Sequence, residues 1–388
     1  MFFVILSHQK NAMQKIQMVD LQTQYQFIKP EVDKGMQEVL SSAQFINGPA
    51  VKSFQASLEA YLGVKHVIPC ANGTDALQVA MMGLGLKPGD EVITADFTFA
   101  ATVEVIALLG LTPVLVDVLP DTFNIDPKAI EKAITPNTKA IVPVHLFGQA
   151  ADMDRIMDIA EKHNLFVIED NAQGIGSTHT NKKGEKVKTG SIGHVASTSF
   201  FPSKNLGCYG DGGAIFTNDD DLAHTIRGIV NHGMYTRYHH DVVGVNSRLD
   251  SLQAVVLNEK LKLLDVYNER RKWAAIRYTQ LLQGHSNINT PVTSGDCDSH
   301  VYHQYTLRII NADRDSLVKY LQEHQIPCGV YYPIPLHLQK AYVDTRYKEE
   351  NFEITNQLIH EVISLPMHSE LDEEQIQFIC KTILTFLD

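Results

Sequence analysis

The chain carries no excess of positive charge: 33 Lys and Arg stand against 45 Asp and Glu, a formal net charge of −12 over 388 residues. That balance speaks against a nucleic-acid partner or an anionic membrane surface, while a few local arginines still suffice to bind a small anionic substrate. Cysteine is sparse as well. Cys70, Cys208, Cys297, Cys328 and Cys380 are odd in number and lack CxxC spacing, so neither a disulfide framework nor a metal site is expected, and most of them read as buried thiols. The histidines, the pair His239-His240 included, show no metal-ligand spacing. Long apolar runs are missing: Phe2–Leu6 is too short for a signal-peptide core or a membrane span, and a cytoplasmic protein is expected. Met13 is an alternative start that leaves residues 1–12 as an extension. There is no internal repeat, no low-complexity linker and no complete GxGxxG. What remains has a globular composition, 44% apolar and 20% charged, and is long enough for a large domain plus a smaller one.

Short β-branched runs recur at the spacing of an α/β fold: His66–Ala71, Glu91–Ala95, Pro113–Val118, Ala140–Leu146, Phe166–Asp170, Val195–Phe200 and Ala214–Thr217. Helix-like stretches such as Asp75–Leu84, Phe99–Leu109 and Met153–His163 separate the early ones. Seven strands alternating with helices predict a mostly parallel sheet covered on both faces. Several runs are continuously apolar, as burial of both faces requires. Beyond Leu249 the pattern changes: Ser251–Leu282 reads as one long helix, with Leu252, Val255, Val256, Leu263 and Val266 as its apolar positions. Tyr302–Ile310 and Cys328–Tyr332 read as strands, and Asp313–His324 and Asp372–Phe386 as helices. The division expected is an extension over 1–17, a large domain over 18–250, and a linking helix with a small α+β domain over 251–388.

Two segments carry chemistry. In Ser199-Phe200-Phe201-Pro202-Ser203-Lys204-Asn205, before the glycine-rich Gly207–Gly213, a lysine follows a strand end with a serine five positions earlier. An enzyme holding an aldehyde cofactor as a Schiff base, its phosphate gripped by a hydroxyl and backbone amides, needs such a run. A strand ending in a solvated lysine is the ordinary alternative, and the run alone does not decide. The second segment, Val167–Gln173, is an apolar strand that ends in Asp170, at the strand end where open α/β sheets bind ligands. For pyridoxal phosphate that carboxylate keeps the pyridine nitrogen protonated, so the ring can accept electrons. Without a partner Asp170 reads as a helix cap; with Lys204 one strand further on, the cofactor reading is the better one.

With these two segments the chain resembles the DegT/DnrJ/EryC1/StrS sugar aminotransferases, fold-type-I pyridoxal-phosphate enzymes acting on nucleotide-linked keto sugars. The resemblance runs from about Met18 to the C-terminus. Further motifs that carry it are Asn47–Val51, Asn72–Leu77, Asp96–Thr102, Val144–Gly148, Asn246–Leu249 and Tyr331–His337. It implies Lys204 as the Schiff-base lysine and proton shuttle, with an amine lowered by burial. Relatives with histidine at that position dehydrate, so the lysine favours amino transfer over a pyridoxal-phosphate dehydratase. The resemblance further implies that Asp170 pairs with the ring nitrogen, Gln173 bonds the phenolic oxygen, and Phe99 stacks on the ring. Gly73 and Thr74, at a helix start, would hold the phosphate together with Ser199.

Asn246 would reach the phosphate from the neighbouring subunit, making a homodimer with shared active sites. Arg248 is a candidate for an acidic group of the substrate, and Tyr331, Tyr332 and His337 belong to the segment that closes over the sugar in relatives. Some relatives have His-Tyr where this chain has Tyr331-Tyr332. The expected partners are a nucleotide sugar and an amino-acid donor, glutamate first. The segment Phe200–Asp211 most resembles enzymes that aminate the 3-keto group of a UDP-linked N-acetylated hexuronate for surface polysaccharides. A dTDP-linked 3- or 4-keto-6-deoxy sugar is the alternative substrate.

Overall fold

In the computed structural model, which describes residues 15–295 and 297–388, seven strands form one sheet. They are β1 (His66–Cys70), β2 (Glu91–Ala95), β3 (Thr112–Val116), β4 (Thr138–Val142), β5 (Phe166–Asp170), β6 (Val195–Ser199) and β7 (Gly213–Thr217). Their spatial order is β1-β7-β6-β5-β4-β2-β3. β7 runs against both its neighbours and every other pairing is parallel, so the expected fold-type-I sheet is present. The two edges are legible in residue type. Pro69 sits in β1 and Pro113 in β3, and proline, which cannot donate to a ladder, is tolerated at edges. The inner strands are buried nearly end to end, as their apolar runs required.

α1 (Leu21–Ser42) lies outside the layers, and both faces are covered by helices that include α2 (Pro49–Leu62), α3 (Gly73–Gly83), α4 (Ala101–Leu108), α5 (Pro127–Ala133), α6 (Met153–His163) and α7 (Asp220–Ile229). After them come α8 (Ser251–Leu261), α9 (Leu264–Leu282), α10 (Arg314–Glu323), α11 (Glu353–Glu361) and α12 (Glu373–Leu387). A second sheet of three antiparallel strands, β8 (Ile288–Asn289), β9 (Tyr305–Ile309) and β10 (Val362–Leu365), packs with α9, α10 and α12 around its own core, which includes Tyr278, Leu307, Leu321 and Ile379. Ile16 is buried in that same core, and Met18 accepts a hydrogen bond from the Met367 amide. The chain just before α1 is thus stitched to the C-terminal half. The rest of the expected extension, residues 1–14, lies outside the described residues, and so does the environment of the Cys297 thiol.

Two expectations fail here. The long helix over Ser251–Leu282 is two helices, broken at Lys262–Leu263. Val266 is exposed, because the break rotates the buried face of α9 onto Tyr267, Asn268, Arg271 and Ala274. Cys328–Tyr332 is not a strand: only Gly329 pairs, by a bridge to Ser364 of β10. The apolar run there earns its burial by packing, with Val330, Tyr331 and Tyr332 against the core beside β4 and β5.

Candidate active site

The parallel strands end on one side of the sheet, and the residues singled out for chemistry collect there. Asp170 closes β5 and is buried. Its Oδ2 accepts from the Thr102 hydroxyl at 2.8 Å and its Oδ1 from the Ala172 amide at 3.2 Å. Burial pushes this carboxyl above the usual range; the Thr102 hydroxyl, the Ala172 amide and the charge of Lys204 offset that only in part. Lys204 follows β6 in a tight loop, its amide donating to Phe201 O at 2.8 Å. Burial lowers its amine to about 8, against the opposing pull of Asp170. The pair therefore has a physical basis: adjacent parallel strands, one ending in the acid and the other leading into the base.

Behind Asp170, on the opposite face of β5, lies a second buried pair. His145 Nε2 is 2.9 Å from Glu169 Oε2 while His145 Nδ1 accepts the Ala151 amide, so Nε2 carries the proton. Burial alone would raise Glu169; the His145 hydrogen bond and the backbone amides of Gly190 and Gly193 hold it below the usual range instead. Gln173 is buried, with Oε1 accepting the Phe147 amide at 2.7 Å and Nε2 donating to Tyr332 Oη at 3.2 Å. Phe99, 58% exposed, lies three residues before Thr102, and its ring meets that of Tyr332 with centroids 6.2 Å apart. The hydroxyl that bonds Asp170 thus also fixes the start of α4 beside the cleft.

The anion end is built from α3. Asn72 caps it, its Oδ1 accepting the Asp75 amide at 2.8 Å, which leaves the first-turn amides of Gly73 and Thr74 without partners in the helix. Ser199, at the end of β6, stands against this turn: a Cβ on Gly73 would lie 2.7 Å from Ser199 Cβ. Asn246 and Arg248 flank Ser247, whose hydroxyl accepts the Ala71 amide at 3.1 Å just before that turn. Asn246 is exposed and Arg248 half-buried.

The C-terminal segment reaches over the same end of the sheet. Tyr332 stands among Phe97, Phe99 and Gln173. Tyr331 packs over Gly329, where a Cβ would come within 2.6 Å of its ring. His337 is not an open cleft residue. It is 5% exposed, its ring stacks on Phe352 at 4.2 Å, and its Nδ1 and amide bond Asp96 at 2.6 and 2.7 Å. In this placement it pins the segment to the end of β2.

Sequence reading gave no role to Thr102, to the His145–Glu169 pair, or to His303, which lies at the start of the run read as a strand. His303 is buried. Burial first, then the charges of Lys204 and Arg271, push it well below the usual histidine range, and its Nδ1 has no partner. Among the described residues no group of three or more His, Cys, Asp and Glu side chains is arranged to hold a metal, and no helix is long and apolar enough to cross a membrane. A cavity of about 880 Å³ between α1, α2 and α8 is lined by none of the candidate residues.

The description of the DegT/DnrJ/EryC1/StrS aminotransferase family matches residues 26–384. The chain is 48% identical over 368 residues to UDP-2-acetamido-2-deoxy-3-oxo-D-glucuronate aminotransferase of Pseudomonas aeruginosa, covering 95% of this chain and 99% of that protein. It is 47% identical over 373 residues to a pleiotropic regulatory protein of Geobacillus stearothermophilus, covering 96% and 98%. Among solved structures, a DegT DnrJ EryC1 StrS aminotransferase from Brucella abortus is similar at TM-score 0.90 and 42% identity, covering 96% of this chain and 99% of that one. NtdA of Bacillus subtilis, solved with its bound cofactor PMP, is similar at 0.88 and 31%, covering 98% and 87%.

The residues here fit that kind of cofactor. A buried carboxylate with two hydrogen bonds and a raised pKa is relieved by a cation such as a pyridinium. The close approach of Gly73 to Ser199 makes a cradle of amides and a hydroxyl that any Cβ would fill, as a phosphate requires. Lys204, its amine lowered to about 8, stands close enough to Asp170 for each to feel the other's charge.

Proposed function

The chain belongs to the DegT/DnrJ/EryC1/StrS aminotransferase family, and on that premise we propose that its substrate is a UDP-linked N-acetylated hexuronate carrying a 3-keto group, aminated at the expense of glutamate for a surface polysaccharide. The protein is an aminotransferase and its cofactor is pyridoxal phosphate. One observation carries the catalytic reading: Lys204, with its amine near 8, follows the strand beside the one that ends in the buried carboxylate of Asp170, and each feels the other's charge. The sugar is supported by similarity to the Pseudomonas aeruginosa enzyme along 99% of that protein.

Bound pyridoxal phosphate supplies an electron sink for a carbanion at the substrate carbon. Asp170 holds a proton on the pyridine nitrogen, with Thr102 orienting the carboxylate. With its amine near 8, Lys204 is neutral in a sizeable fraction of molecules at neutral to mildly alkaline pH, and its Nζ takes and returns a proton at the reacting carbon. The amides of Gly73 and Thr74 and the Ser199 hydroxyl would hold the phosphate, Gln173 would bond the phenolic oxygen through its second amide hydrogen, and Phe99 would cover one ring face. Tyr331 and Tyr332 wall the sugar end, which His337 shapes from behind.

We place the working unit as a homodimer. Asn246 is exposed, and Tyr238, Val242 and Val243 nearby in the chain are exposed apolar residues in need of cover. In the dimer Asn246 bonds the partner's phosphate and Arg248 meets the carboxylate of a hexuronate or of glutamate. The test is turnover of a panel of UDP- and dTDP-linked keto sugars with glutamate. The UDP-linked N-acetylated 3-keto hexuronate should give the highest kcat/KM, and Lys204→Ala should abolish it. A higher kcat/KM for a dTDP-linked 3- or 4-keto-6-deoxy sugar overturns the substrate proposal.

A further inference from the structure

We propose that Asn268, in the second turn of α9, is a positioning residue for Lys204. Its side chain is buried, and its Oδ1 accepts from Asn205 Nδ2 at 2.8 Å, Asn205 being the residue directly after Lys204. Its own Nδ2 donates to Ile175 O at 3.3 Å, two residues beyond Gln173. The other hydrogen of Asn205 Nδ2 goes to Val301 O at 3.0 Å, two residues before His303. Asn268 thus ties together the segments that carry Lys204 and Gln173, and Asn205 ties on the segment that carries His303. Arg271, one turn on and on the same face of α9, adds bonds from Nη1 to the carbonyls of Tyr302, His303 and Met367 at 3.0–3.3 Å.

The contact is built into its surroundings. Gly176 has φ +89°, and a Cβ there would stand 2.4 Å from Asn268 Nδ2, so the left-handed glycine is the clearance through which Asn268 reaches its acceptor. The amide orientations are fixed by their neighbours. Turning Asn205 over would set its oxygen against Asn268 Oδ1 and Val301 O, and turning Asn268 would set an oxygen against Ile175 O.

The consequence falls on Lys204 because burial is what lowers its amine. The nearby backbone bonds, Lys204 N to Phe201 O and Cys208 N to Phe200 O, close the loop on itself. Asn205 is its polar attachment to α9. When that attachment is removed the loop can lift, water reaches Nζ, and the amine returns toward the ordinary lysine value.

This inference rests on Lys204 being the reactive amine, and its test separates the two. In the cofactor-free full chain, the pH dependence of Lys204 labelling by an amine-reactive reagent is followed by mass spectrometry of the Lys204 peptide. In Asn268→Ala the midpoint should rise by about one unit, cutting the neutral fraction at the wild-type midpoint from about one half to about one tenth, with kcat falling in step and KM little changed. Asn205→Ala breaks the same bond from the loop side and should shift the midpoint equally, the double variant adding nothing more. It also decides the matter if Asn268→Ala does not fold. Thr306→Val removes a buried 2.8 Å hydroxyl contact with Ser364 in the small sheet and should cost stability without moving Lys204. A Lys204 midpoint unchanged in both asparagine variants, or shifted as much in Thr306→Val, overturns the assignment of Asn268. Full turnover in Lys204→Ala would instead overturn the reading of the lysine itself.

Discussion

Replacing Thr102 by valine keeps the side chain's volume in a site that is 1% exposed and removes only the hydroxyl that donates to Asp170 Oδ2 at 2.8 Å. A hydrogen bond to a charged group contributes about 1.5–3 kcal/mol. If that stabilisation is realised while Asp170 holds the pyridinium proton, the half-reaction with glutamate slows roughly 10- to 100-fold at about 1.4 kcal/mol per decade. The cofactor-free chain supplies an independent reading. Burial raises the carboxyl of Asp170 above its unfolded value, so its ionisation opposes folding: stability is greatest below the unfolded value and falls as pH rises toward the raised one. Thr102 offsets that cost most fully while the carboxylate is charged. Thr102→Val should therefore lose about 1.5–3 kcal/mol where Asp170 is ionised, and only about 0.5–1.5 kcal/mol once it is protonated. Stopped-flow of the glutamate half-reaction and denaturant unfolding of the cofactor-free chain across pH measure the two effects. A rate within twofold of wild type, together with a stability difference that does not vary with pH, would refute the role given to Thr102.

Asp170→Asn should fold and retain cofactor yet slow the glutamate half-reaction by orders of magnitude, since an amide cannot hold the ring proton; a rate within a few-fold leaves Asp170 structural only. Gly73→Ala sets a Cβ 2.7 Å from Ser199 Cβ, so cofactor affinity measured by equilibrium dialysis should fall at least about tenfold; unchanged affinity would remove the phosphate from the start of α3. Mixed dimers of Lys204→Ala with an Asn246 variant defective in cofactor binding should recover activity, because one of their two sites has an intact lysine and an intact partner asparagine. Failure to complement despite demonstrated subunit exchange counts against a shared site.

Residue pattern alone determined the seven strands of the main sheet to within a few residues at each end, because a strand buried on both faces must be an apolar, β-branched run whatever surrounds it. It also determined that Asp170 and Lys204 lie on one side of the sheet: Asp170 ends one parallel strand and Lys204 follows the end of its neighbour, and that direction is a property of the chain itself. The break at Lys262–Leu263 was not legible, since apolar residues continue through it and only packing against α2 and the loops of the large sheet sets which face is buried. The same holds for Cys328–Tyr332, whose apolar run fits a strand equally well, while the pairing partner of β9 is instead Val362–Leu365. Polar contacts were not legible for the same reason. His337 reads in sequence only as part of the segment that closes over the sugar, and its enclosure by Asp96, 241 positions earlier, and by Phe352 is tertiary. Thr102 and Asn268 look like unremarked helix positions until residues 68 and 63 positions away complete their hydrogen bonds. Periodicity and strand direction are local and survive in the sequence; hydrogen-bond partnership and the burial that moves Lys204 and Asp170 from their ordinary pKa values depend on distant segments meeting, and only the tertiary structure decides them.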